Sequence, residues 1–229
     1  NLLKYELLAS IPFDLVIYYE AINENRANNI PYEFFKNDYS HIAWYEEIEL
    51  LRAHPEINFS VVPFFFHKAY QSFLNTVTQK PRLEMGKVTP EYVHYGDSIQ
   101  TAQPYRDNIE GIVHLATQKK ERLVLMHYAS FFPENITLTG EESDMRHFAG
   151  CQFACPISIW GVDRHVKKGI EVHNQLLREV AEKHQVPYFQ FQLPANSEYF
   201  CDVCHVSEKG AVQFASELGN YIRNEGLLK

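Results

Sequence analysis

The chain is short of positive charge. Its 229 residues carry 21 lysines and arginines against 29 aspartates and glutamates, a formal net charge of -8. Such a surface repels phosphate backbones, and no run of five basic residues offsets it, so no nucleic acid partner is expected. Long apolar runs are missing too. The longest lies around Val61–Phe66, broken by Pro63, far below the ~20 residues of a membrane-spanning helix. Internal repeats and low-complexity tracts are absent. Cysteines number only four, so any cross-linking is sparse. What is present is 45% hydrophobic and 14% aromatic residues. That supplies a core for one α/β domain, residues 1–229, with room for an insertion over 31–105.

Periodicity gives the layout. Leu2–Ala9 reads as the end of an amphipathic helix stopped by Pro12. Phe13–Tyr19 is a continuous apolar run, the pattern of a strand covered on both faces in a parallel sheet. Asp107–Gln118 is helical in spacing, Arg122–His127 is a second buried strand, and Lys168–His184 is a strongly amphipathic helix. Pro187–Phe191 is a short strand. Ser207–Arg223 is a closing helix with Ser207 as its cap. Within the insertion, Glu46–Arg52 looks helical, Phe59–Leu74 has mixed periodicity, and Lys80–Ser98 reads as loop. Alternating helices and strands predict a doubly wound parallel sheet.

In such a sheet the chemistry gathers beyond the carboxyl ends of the strands. Two polar groups fall there: Asn23, after Phe13–Tyr19, and Asp202 with His205, before the last helix. A histidine can shuttle a proton at neutral pH, and an aspartate on Nδ1–H fixes its tautomer. An asparagine amide can donate to a developing oxyanion.

The stretch Asp202-Val203-Cys204-His205-Val206-Ser207-Glu208-Lys209-Gly210 resembles the last motif of the SGNH (GDSL-like) hydrolases, Asp-x-x-His followed by a hydrophobe and Ser-x-x-Gly. Asp14–Glu24 is similar to that family's strand leading into Gly-x-Asn-Asp, with Ala21 and Glu24 in place of Gly and Asp. Residues 173–188 also look like its penultimate helix and strand. The resemblance covers about residues 10–25 and 107–223, and implies a flavodoxin-like sheet. It further implies a serine esterase or acyltransferase acting on a small-molecule or glycan acyl ester and needing no cofactor. His205 would be the general base, Asp202 its orienter and Asn23 an oxyanion donor. The family's Gly-Asp-Ser motif precedes its asparagine motif, and none precedes Asn23 here. Either that segment is missing from the N-terminal side or the chain is a catalytically inactive binding or assembly protein. Gly96-Asp97-Ser98 spells the tripeptide, but after the asparagine motif and without a buried strand before it.

The cysteines form two close pairs, Cys151 with Cys155 and Cys201 with Cys204. If their loops meet, a four-thiolate structural zinc site, two disulfides, or free thiols are all open. Cys201-x-x-Cys204-His205 also spells a c-type haem attachment motif, the reading of an electron carrier. Aromatic residues crowd 31–105, expected to pack a satellite core or to form a wall over a substrate.

Overall fold

The computed structural model describes residues 1–43, 45, 48, 52, 54, 60–78, 81, 83 and 88–228. It is a mixed α/β chain built on a three-stranded parallel sheet. The elements are α1 (Leu2–Leu7), β1 (Leu15–Tyr18), α2 (Val61–Thr78), α3 (Ala102–Lys119), β2 (Arg122–Met126), α4 (Asp163–His184), β3 (Tyr188–Phe189) and α5 (Glu208–Asn224). Short 3-10 turns link them. The strand order is β1-β2-β3, with Leu15 opposite Arg122 and Leu125 opposite Tyr188.

Side-chain alternation along the sheet builds two cores. Leu123 and Leu125 point toward α1, α3 and α4, where Tyr105, Ile109, Leu177 and Val180 are buried. Val124 and Met126 point to the other face, packed with Phe191, Phe200 and the apolar side of α5. There Phe189 stacks on Tyr221, ring centroids 4.5 Å apart. β2 is central, and Leu123–Met126 are all buried, as its apolar run predicts. β1 departs from expectation. Ile17 is 39% exposed, because β2 is the strand's only neighbour among the described residues and one edge stays open.

The helices start and stop for local reasons. α3 begins five residues earlier than the apolar spacing alone indicates, since Pro104 fits a first turn, where no intrahelical N–H bond is lost. α4 likewise begins at Asp163. It buries Val166, Ile170, His173, Leu177 and Val180 on one stripe and ends at Gln185 in the left-handed region.

The insertion divides. Ala27, Ile30, Tyr39, Ile42 and Leu83 form a satellite core with Phe34, Phe35, Tyr45 and Tyr92 against it, as expected of its aromatics. In α2, however, Val62, Phe65, Phe66, Tyr70, Phe73 and Val77 are exposed, so among the described residues these side chains pack no core. Most of Glu46–Arg52, Trp44 and much of the 80–87 loop lie outside the described residues.

Two helical glycines differ in their surroundings. A Cβ on Gly169 of α4 would lie 1.6 Å from Asn25 Oδ1, whose amide is tied to the carbonyls of Ala21 and Ile22. A Cβ on Gly219 of α5 would meet nothing within 4 Å. Urea unfolding should therefore show Gly169→Ala destabilised, while Gly219→Ala gains about 0.5–1 kcal/mol from the stiffer unfolded chain. Equal shifts in both variants would contradict this packing.

Candidate active site

The parallel strands bring their carboxyl ends to one rim, and the segments leaving that rim carry the predicted residues. After β3 the chain makes a tight turn. Cys201 N donates to the His205 carbonyl at 2.7 Å, and Phe200 and Val206 form an antiparallel bridge. Phe131 N and Ala149 N donate to the carbonyls of Val203 and Phe200, tying the turn to the neighbouring loop. The Cys151–Cys201 disulfide, with Cα atoms 5.4 Å apart, fastens the same two loops.

Helix α5 fixes the far end of this turn. The Ser207 hydroxyl accepts from Gly210 N at 3.2 Å and donates to the Glu198 carbonyl at 2.5 Å. Gly210 lets the helix pass under the loop: a Cβ there would lie 2.3 Å from the Tyr199 carbonyl oxygen. The Ser-x-x-Gly spacing thus has a physical reason, with the serine capping and the glycine clearing the backbone above.

Asp202 is wholly buried. Oδ2 accepts from His205 Nδ1 and Cys155 N, both at 2.7 Å, and Oδ1 accepts from the backbone N–H groups of Cys204 at 2.9 Å and His205 at 2.8 Å. Burial raises its pKa, yet the His205 bond and the three backbone donors outweigh it, leaving the carboxyl below its ordinary value. The bond to Asp202 raises His205 in turn, against the effect of partial burial. With Nδ1–H committed to Asp202, the neutral ring of this half-exposed side chain leaves Nε2 as the base.

Asn23 stands at the same rim. Its Oδ1 accepts from Trp160 Nε1 at 3.4 Å, and its Nδ2 donates to Glu20 Oε2 at 3.2 Å. An indole N–H can only donate, so this contact fixes which way the amide faces and leaves one amide hydrogen uncommitted. The Trp160 ring lies 5.9 Å from the His205 ring. The indole therefore joins the two sequence-predicted groups, bonded to one and packed on the other. Glu20 Oε1 also accepts from the backbone N–H groups of Ala21, Ile22 and Asn23 at 3.1–3.3 Å, pinning the turn after β1.

Below this turn, His173 is fully buried. It donates from Nδ1 to the Ala21 carbonyl at 3.0 Å and accepts from the Thr101 hydroxyl at 3.0 Å. Burial lowers its pKa to about 4, so it is a neutral packing group. A cavity of about 440 Å³ opens beside Asn23, bordered by Glu20, Glu24, Tyr39 and Trp160.

Sequence reasoning missed Glu20 and Trp160. Glu20 stood at the carboxyl end of a predicted strand, a signal that could have been used. Trp160 lies in an irregular stretch that carries none. Gly96-Asp97-Ser98 sits elsewhere: Gly96 packs near Asn29 and His165, and the Ser98 hydroxyl donates to the Tyr95 carbonyl. Among the described residues no serine hydroxyl bonds to His205.

The cysteine expectations need correction. Cys151 and Cys201 are bonded to each other, so a four-thiolate zinc site has only two thiols left, Cys155 and Cys204. One of the two considered disulfides is present. Haem attachment would need Cys201 as a free thiol, and that sulfur is already used.

The dyad links charge to stability. A lowered Asp202 stabilises above the ordinary carboxylate pKa of ~3.9, and this is lost as pH falls through its folded value. A raised His205 stabilises below ~6.5, and this fades as pH rises through its folded value. His205→Ala should therefore lower Tm most between about pH 4 and 6.5, with a smaller loss above. An NMR titration of Asp202→Asn should show the His205 pKa falling; an unmoved value would break the assigned hydrogen bond. Gly210→Ala should lower Tm and perturb the His205 resonances together.

No family model, curated protein or solved structure matches this chain.

Proposed function

We propose that this rim is the proton-transfer and oxyanion half of an acyl-ester hydrolase or acyltransferase of the SGNH type, on a flavodoxin-like sheet. The observation that carries the reading is the joining of three separated groups. An Asp202–His205 pair with its tautomer fixed, and an Asn23 amide with a hydrogen to spare, meet through Trp160.

The chemistry follows from the atoms. His205 Nε2 takes the proton of a serine hydroxyl as its oxygen attacks the ester carbonyl. Asp202 stays ionised and stabilises the imidazolium. The free Asn23 N–H donates to the carbonyl oxygen as it becomes an oxyanion, a contribution of roughly 3 kcal/mol in comparable sites. The imidazolium then protonates the leaving alcohol, and water or an acceptor alcohol releases the acyl group by the same path. The cavity beside Asn23, lined by Glu20 and Glu24 together with Leu2, Leu3, Ile42 and Trp160, has room for an acyl ester of modest size. The reading requires a serine hydroxyl at Nε2, a position that no described serine holds.

The other reading is a serine-less binding or assembly protein, favoured by the lack of a serine on His205 among the described residues. Fluorophosphonate labelling of the protein from its natural source separates the two. The enzyme reading expects one labelled serine, aryl acetate hydrolysis, and loss of both by about 10³-fold or more in His205→Ala. Asn23→Ala should cost about 10²–10³-fold in kcat. No labelling, or labelling indifferent to His205, would overturn it.

A further inference from the structure

We propose that Cys155, Asp202 and His205 form a binding site for one zinc ion. A Cys155 Sγ, an Asp202 carboxylate oxygen and a His205 ring nitrogen all lie within 4.8 Å of one another. Zinc holds such donors at ~2.0–2.3 Å in a tetrahedron, which places donor pairs roughly 3.3–3.8 Å apart. Asp202 Oδ2 and His205 Nδ1, now hydrogen-bonded at 2.7 Å, open by roughly half an ångström, while the wider separations close by about an ångström or less, both within the reach of side-chain rotation on two loops already pinned together.

The donor set also balances charge. One thiolate and one carboxylate cancel the 2+ of the ion, and the imidazole binds as a neutral ligand. The Cys155 thiol releases its proton to solvent when the ion binds. A water would complete the tetrahedron, since the His205 side chain is half-exposed to solvent. Cys204 is left out. Its buried thiol sits 3.4 Å from Asp202 Oδ1 and 3.7 Å from His205 Nδ1, and ionising it as well would leave the buried site with a net negative charge.

Zinc in this position takes Asp202 and His205 out of proton transfer. Ion binding and general-base catalysis at His205 exclude each other. Binding can be read without any substrate, so its outcome is independent of the acyl-transfer reading.

The test uses the full chain with the Cys151–Cys201 disulfide intact, titrated with Zn2+ by calorimetry and with Co2+ by absorption. One ion per chain and a thiolate-to-cobalt charge-transfer band are expected. Cys155→Ser should abolish that band and weaken Zn2+ binding by at least ~10-fold. Cys204→Ser, a buried control in the same loops, should keep both. Far-UV circular dichroism checks that each variant is folded. The absence of a band, binding unchanged in Cys155→Ser, or a Cys155–Cys204 disulfide in the isolated protein would each overturn the proposal.

Discussion

The buried carboxylate of Asp202 is the constraint on which the rim depends. A charge in that position is tolerable only if its lone pairs are filled. Three of its donors are backbone N–H groups, two from its own turn and one from Cys155 on the neighbouring loop, and the Cys204 thiol adds a weaker contact. The remaining strong donor is the His205 ring. The carboxylate thus closes its own turn, docks a second loop and orients an imidazole at once. The Cys151–Cys201 bond runs beside this contact and reinforces it. Removing Asp202 would strand three buried donors as well as free the ring, so its mutation cannot be read as a purely chemical change.

The opposite side of the rim is held by amides. Asn25, Asn28 and Asn29 are all buried, and each bonds to backbone: Asn25 to the Ala21 and Ile22 carbonyls, Asn28 to Thr101 N, and Asn29 to the Trp160 carbonyl. This polar layer does the work that strand pairing does elsewhere, because the turn after β1 has no ladder to continue. Through Asn29 it grips the Trp160 backbone, while Asn23 meets the indole N–H. The tryptophan is held at both ends, which is why it can serve as a strut between Asn23 and His205.

How far the sequence foretold this depends on the range of each signal. Asp202, His205, Ser207 and Gly210 lie within nine residues, and a turn followed by a capped helix is a local pattern that spacing conveys. β2 and α4 were equally plain, since a continuous apolar run and a 3.6-residue stripe each match one environment. The misses are long-range. β1 carries the apolar run of an interior strand, but exposure depends on its neighbours, and its sequence says nothing of them. The pairing of Cys151 with Cys201 rather than another partner rests on loop placement, which four cysteines in two clusters leave undetermined. Trp160 and Asn23 are 137 residues apart. In α2, aromatic residues that suggest a core instead face outward, because composition records hydrophobicity and not what covers it.

One atom separates the structural content of this rim from its chemical content. The fold accounts for Asp202 through its backbone donors, for Ser207 through the helix cap, for Gly210 through a close approach, and for His173 through two buried bonds. His205 Nδ1 is likewise explained by its partner. Nε2 is not: among the described residues it has no hydrogen bond, and the side chain that carries it is half-exposed. A group that satisfies no neighbour contributes nothing to folding through that atom, yet the surrounding turn is cross-linked, capped and buttressed so that the ring stays where it is. The rigidity is therefore better explained by what approaches His205 from solvent than by stability. On the proposed readings, a serine hydroxyl proton and a zinc ion would compete for this ring. The buried carboxylate strengthens the ring's hold on the proton, and in the proposed zinc-bound form it turns from hydrogen-bond partner into ligand.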